Sequence, residues 1–140
     1  YFNRFPGIKE YMNNTIDFAR KNLYVSTIFG RNCHFPEIIS KNHAVRSFNE
    51  RAAINAPIQG SAADIIKKAM VKISQEIKAN NLKSKMILQI HDELMFETPE
   101  EEVKIIEDII IENMESATNP QLDFSVPLKV DVKVSKSWEE

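Results

Sequence analysis

Residues 86–96 read MILQIHDELMF, and they decide the fold. Apolar, strand-forming residues lie on both sides of three ionisable ones, His91-Asp92-Glu93. The pattern predicts a β-hairpin whose turn falls on the charged triplet. Side chains alternate along a strand, so Met86, Leu88 and Ile90 are expected on one face and Ile87, Gln89 and His91 on the other. Tight hairpins favour Asn-Gly, Asp-Gly or Gly-X at the turn, because those residues accept positive φ. No glycine stands here, which raises the question of what the charged residues do instead.

A carboxylate at the tip of a rigid hairpin projects past the sheet and suits a divalent cation. Mg²⁺ takes one or two protein carboxylates and fills its remaining positions with phosphate oxygens and water. Asp92 and Glu93 are therefore candidate metal ligands, with a solvated turn as the alternative. A two-metal phosphoryl-transfer site, with ions about 4 Å apart, needs acids from at least two places in the chain. His91 could ligate, shuttle a proton or hydrogen-bond. Cys33 and His34 are adjacent, but no second His/Cys pair stands at zinc spacing. Neither a G-x-x-x-x-G-K-[ST] nor a G-x-G-x-x-G phosphate loop occurs.

Downstream of the hairpin, residues 99–102 (PEEE) start a helix, with acidic side chains at the positive end of its dipole. Ile106, Ile109, Ile110 and Met114 form its core face. Residues 128–134 (LKVDVKV) alternate strictly, as a half-buried strand of an antiparallel sheet does. Upstream, residues 44–79 are helical in pattern, and Ile66, Met70, Ile73 and Ile77 make an apolar face. Pro57 lacks an amide hydrogen and predicts a kink or break at residues 55–57. Asp64 and Lys68 are four apart and can pair. Further upstream, residues 24–35 read as a small hairpin turning at Gly30 and ended by Pro36. The first helix starts at Pro6, carries Phe5, Ile8, Met12, Ile16 and Ala19 as a stripe, and stops near Asn22. The order predicts an α+β fold: an antiparallel sheet, made of the acidic-tipped hairpin and the last strand, packed by helices on one face.

The chain has 140 residues, 43% hydrophobic and 27% charged, enough for one domain with a real core. No apolar run approaches the roughly 20 residues of a membrane span. The start does not resemble a signal peptide. A lone Cys33 rules out an internal disulfide. Net charge is -2, but residues 1–98 hold 14 Lys+Arg against 9 Asp+Glu, and residues 99–140 hold 4 against 11. A basic front fits contact with a polyanion, and a solvated acidic helix explains the asymmetry equally well.

One more block stands out, ERAAINAPIQGSAADIIKKAM at residues 50–70. Arg51, Asn55 and Gln59 recur every four residues among alanines. On a helix they form one row of donors, and the small neighbours let another molecule approach. The DNA minor groove offers acceptors at every base pair, so such a row could test duplex geometry without reading sequence. The plainer alternative has Asn55 capping a helix, Gln59 solvated, and Arg51 paired with Glu50 or Asp64.

Together, ERAAINAPIQGSAADIIKKAM and QIHDELMFE resemble the C-terminal part of the family A DNA polymerases, the bacterial DNA polymerase I group. YFNRFPGIKEYM at the start and VPLKVDV with Trp138 at the end are similar too, so the resemblance covers nearly the whole chain. It implies that residues 1–45 are the rear of a fingers subdomain and residues 46–140 the C-terminal part of a palm. It implies that Asp92 holds the catalytic metals, two Mg²⁺ ions, with Glu93 as a supporting group. Gln89 and His91 would lie along the primer terminus, and Arg51, Asn55 and Gln59 along the minor groove and template. The implied activity is template-directed addition of dNTPs to a primer 3′-OH, a nucleotidyl transfer serving DNA replication and repair. The implied partners are primer–template DNA and dNTP, with no membrane. The implied place is the bacterial cytoplasm, at the nucleoid.

Two family features do not occur in these residues. One is a second metal-binding aspartate in an Asp-Tyr-Ser-like strand. The other is a fingers helix bearing Arg, Lys and an aromatic residue. Ile90 also stands where valine is usual. The expectation is a polymerase piece that is inactive alone, with exposed apolar surface that favours self-association. A non-catalytic duplex-binding module (a relic palm) and a metal-dependent nuclease using Asp92, Glu93 and Glu97 are the competing readings.

Overall fold

Pro6 fixes its own φ for the first turn of a helix, and the computed structural model, which describes residues 1–138, starts α1 there. α1 spans Pro6–Asn22 and ends as Leu23 turns left-handed, its amide bonding back to the Ala19 carbonyl at 2.8 Å. A two-stranded antiparallel ribbon follows, β1 (Tyr24–Ser26) on β2 (Asn32–His34). Gly30 supplies the positive φ of its loop, and the Thr27 hydroxyl accepts the Phe29 and Arg31 amides. A 3₁₀ turn at Pro36–Ile39 leads to α2, His43–Ala79. The Asn42 side chain accepts the Ala44 and Val45 amides and so caps α2.

The predicted break at Pro57 does not occur, since α2 runs through it for 37 residues. Pro57 costs the intrahelical bond to the Ala53 carbonyl. Tertiary contacts support the helix around it. The Tyr11 hydroxyl donates to the Ile54 carbonyl at 2.8 Å. Ser61 donates to the Pro57 carbonyl and accepts the Ile28 amide at 2.9 Å. Packing of this kind outweighs a local propensity. Asn55 consequently caps nothing.

β3 (Lys85–Ile90) and β4 (Glu93–Glu97) form the hairpin of residues 86–96, and α3 (Val103–Glu115) follows a 3₁₀ turn at Glu100–Glu102. The expected face assignment holds for Leu88 and Ile90 but fails for Met86, across the register shift. Leu88 pairs with Met95 but Met86 pairs with Phe96, which leaves Ile87 as a bulge. Directly paired residues share a face. Met86 therefore joins Phe96 on the core side, whereas Leu88 (41% exposed) sits with Met95 on the other. Residues 128–134 form no strand. Both sheets among the described residues are two-stranded, and the Val130 amide bonds instead to the Glu115 carboxylate at 3.2 Å. Alternation supplies a face, but a strand also needs a neighbour.

Two compact units result, Tyr1–Asp64 and a second beginning at Ile65. The first has a core of Ala19, Val25, Ile38 and Ala53, with Leu23, Phe35 and Ala56 against it. Phe5 and Ile8 of the expected stripe stay exposed. In this unit Asp64 takes Arg31 as an ion partner at 2.8 Å, which holds that guanidinium above its ordinary pKa. The second unit packs Ile106, Ile109 and Ile110 of α3 against Ala69 and Ile73 of α2, with Met86, Leu94 and Phe96 of the hairpin. Met114 packs there as expected. The acidic run does not sit in the first turn of α3. Glu102 reaches back to the start of β3, accepting the Lys83 amide and the Ser84 amide at 2.8 Å each and the Ser84 hydroxyl at 2.6 Å. These donors hold its carboxyl below the usual range.

Two outcomes follow. A Cβ on Gly60 would lie 2.8 Å from the Thr27 methyl. Gly60→Ala therefore destabilises the chain by about 1–3 kcal/mol in urea unfolding, against the usual helix gain. Glu102 has a lowered folded pKa. Its contribution is complete above the ordinary glutamate value and is lost as pH falls through the lower folded value. Between those two values the stability of Glu102→Gln should depend less on pH than that of the parent chain.

Candidate functional site

The hairpin turn is two residues long, His91 and Asp92, closed by the pair Ile90 and Glu93. His91 takes φ 54°, the left-handed region that hairpin loops demand at their first position. Histidine enters that region more readily than branched residues do, yet any side chain pays for it. The Gln89 side chain donates to the His91 carbonyl at 3.2 Å and braces the turn. The strain is local, and Asp92 and Glu93 are both exposed at the tip.

Asp92 lies in the loop and Glu93 begins β4, so two carboxylates share one end of the hairpin. Their oxygens are the donors that a hard divalent cation prefers. Two carboxylates alone fall short of a full coordination shell. No group of three His, Cys, Asp or Glu side chains able to hold a metal occurs among the described residues. Glu97 stands at the far end of β4, paired with Lys85, so it does not join the tip. That removes the acid a nuclease reading relies on.

The donor row belongs to the first unit. Because α2 is unbroken, Arg51, Asn55 and Gln59 stand at successive i, i+4 positions, and all three are exposed. Arg51 donates to Ser47 at 2.8 Å. Glu50 is taken by Arg20 and Asp64 by Arg31, so neither acid is the Arg51 partner that the plainer reading needed. Among the described residues the Asn55 and Gln59 side chains have no hydrogen-bond partner. The row thus presents polar groups outward, beside the small Ala52 and Ala56. Gln89, His91, Asp92 and Glu93 form a separate group in the second unit.

Sequence reading missed Glu102, because the bond to Ser84 spans 18 residues and no local spacing signals it. It missed the Gln89 brace as well. No helix among the described residues is long and apolar enough to cross a membrane. The turn strain is testable: His91→Val forces a β-branched residue to positive φ and should lower stability by about 1 kcal/mol or more in thermal melts.

The sequence pattern of DNA polymerase family A matches residues 1–140. DNA polymerase I of Rhizobium leguminosarum is 51% identical over 142 residues, covering 100% of this chain and 14% of the relative. DNA polymerase I of Caldicellulosiruptor bescii is 50% identical, over 100% of this chain and 16% of its own length. A solved structure of the POL domain of Pol1 from M. smegmatis, in complex with DNA primer-template and dNTP, superposes with a TM-score of 0.86 at 48% identity. That match covers 92% of this chain and 22% of the other. The chain therefore spans a small fraction of the length of these relatives, and it belongs to DNA polymerase family A.

Proposed function

We propose that this chain works within a longer, template-directed DNA polymerase that adds dNTPs to a primer 3′-OH. The observation that carries the reading is the braced, exposed Asp92-Glu93 tip in a chain matched by the family over its whole length. In this reading residues 1–45 form the rear of the fingers and residues 46–140 the C-terminal part of the palm. Primer–template DNA and dNTP, the partners named for the M. smegmatis structure, are the partners here too. The bacterial cytoplasm, at the nucleoid, is the working place.

Asp92 and Glu93 would hold Mg²⁺, which when bound neutralises phosphate charge and favours an ionised 3′-oxygen. The rest falls to side chains. The hairpin fixes the two carboxylates on rigid backbone, so little reorganisation is needed when substrate arrives. His91 and Gln89, next to the tip, hold the primer terminus. Arg51, Asn55 and Gln59 donate to minor-groove acceptors that every correct base pair presents, so alignment is checked without regard to sequence. The small Ala52 and Ala56 leave the groove room to approach.

With one end of the metal shell present, the chain by itself is inactive. Its exposed apolar side chains, such as Ile87, Val126 and Trp138, favour self-association. Primer extension tests the reading. In the whole enzyme Asp92→Ala should cost at least about a hundredfold in rate. Arg51→Ala should weaken duplex binding for all sequences alike. The isolated chain should show no Mg²⁺-dependent extension. Full extension by the Asp92→Ala enzyme would remove Asp92 from the catalytic site, and no extension by the unaltered whole protein, with duplex binding dependent on Arg51, would leave a non-catalytic duplex-binding module in its place.

A further inference from the structure

The two ends of the hairpin demand registers that differ by one residue. From the turn, the pairs run Ile90 with Glu93, Gln89 with Leu94, and Leu88 with Met95. Continued without interruption, they would set Ile87 against Phe96 and Met86 against Glu97. The base of the hairpin does otherwise, with Met86 on Phe96 and Lys85 on Glu97. Ile87 absorbs the difference as the bulge. A bulge bends and twists its strand, and beside a functional site it re-aims side chains.

Something must hold the base in its offset register, since a continuous ladder would pair all five residues of β4 equally well without the cost of a bulge. The Glu102 carboxylate is placed to do so. Both its oxygens bind the two residues just before β3, through three hydrogen bonds of 2.8, 2.8 and 2.6 Å. Ser84 is only 3% exposed, so water competes poorly for these bonds. Donors to an ionised carboxylate make stronger bonds than neutral pairs do. Glu102 itself is fixed where the 3₁₀ turn hands over to α3, and α3 is anchored in the core by Ile106, Ile109 and Ile110.

We propose that Glu102 is a positioning residue: it pins the base of the hairpin one residue out of register with the turn, which maintains the bulge at Ile87 and so sets the aim of Asp92 and Glu93. The proposal rests on the reading of the tip as a metal-holding end. Glu102 touches no substrate and acts only through the backbone of β3. Release of the carboxylate lets β3 slide into the continuous ladder, straightens the hairpin and turns the tip.

The experiment is NMR on the 140-residue chain and its Glu102→Gln, Ser84→Ala and Ser84→Thr variants, with Mn²⁺ alone as the metal probe. In the parent chain the cross-strand neighbour of Phe96 is Met86, and Mn²⁺ broadens the Asp92 and Glu93 amides. In Glu102→Gln the neighbour of Phe96 becomes Ile87, tip amides exchange roughly tenfold faster or more, and the Mn²⁺ broadening weakens. Ser84→Thr keeps the hydroxyl and restores the parent pattern. Ser84→Ala removes one bond of the three and gives an intermediate one. Unchanged pairing and unchanged tip exchange in a folded Glu102→Gln chain overturn the proposal. So does a change of pairing that leaves the tip as it was. If Glu102→Gln does not fold, Ser84→Ala is judged by the same criteria, and loss of folding in both assigns the clamp to stability alone. Absence of Mn²⁺ broadening in the parent chain would instead count against the metal reading, with pairing and tip exchange still deciding the role of Glu102.

Discussion

A proline without an amide hydrogen sits inside the longest helix, and much of the structure depends on how that loss is met. The Ala53 carbonyl forfeits its intrahelical donor. Tyr11 from α1 and Ser61 one turn on supply hydrogen bonds around the gap, and Ser61 ties the same turn to the amide of Ile28. The missing side chain of Gly60 lets the Thr27 methyl come close at this point. Small residues and hydroxyls thus surround the proline, where larger apolar groups would have left its neighbours' carbonyls bare. Because the helix stays whole, its exposed donors keep one row. A break would have scattered Arg51, Asn55 and Gln59 to different directions.

The hairpin applies the same logic at smaller scale. Positive φ at His91 costs energy, and the Gln89 side chain and the flanking ladder hold it in place. Glycine would fill the position more cheaply. A histidine there keeps an imidazole beside two carboxylates, which is the chemistry the family reading assigns to this end. The Ile87 bulge and the Glu102 clamp lie outside that chemistry, yet they determine how the strand arrives at it.

Features that rest on local physics were legible in the residues. Pro6 marked the start of α1, Gly30 and Pro36 bounded the small ribbon, and the spacing of Ile106, Ile109 and Ile110 gave the buried face of α3. The acidic tip was legible for the same reason, since charge between two apolar runs can only be a turn or an end. What escaped was non-local. The helix runs on through Pro57, and the Tyr11 bond to the neighbouring Ile54 carbonyl spans 43 residues. The bulge at Ile87 and the Ser84–Glu102 bond across 18 residues are both beyond what alternation can foresee. The Arg31–Asp64 ion pair joins residues 33 apart in sequence. Residues 128–134 had the right pattern but no partner strand among the described residues.

That last segment has a consequence for how copies of the chain meet. Lys129, Asp131 and Lys133 occupy every second position of a β-prone stretch. Stacked in parallel register, two copies would set lysine on lysine and aspartate on aspartate. Paired antiparallel about Asp131, they would do the same, since the charge order reads alike in both directions. Like charges directly opposite each other oppose pairing. The segment therefore acts as a gatekeeper, discouraging the two simplest cross-β registers through the symmetry of its charges.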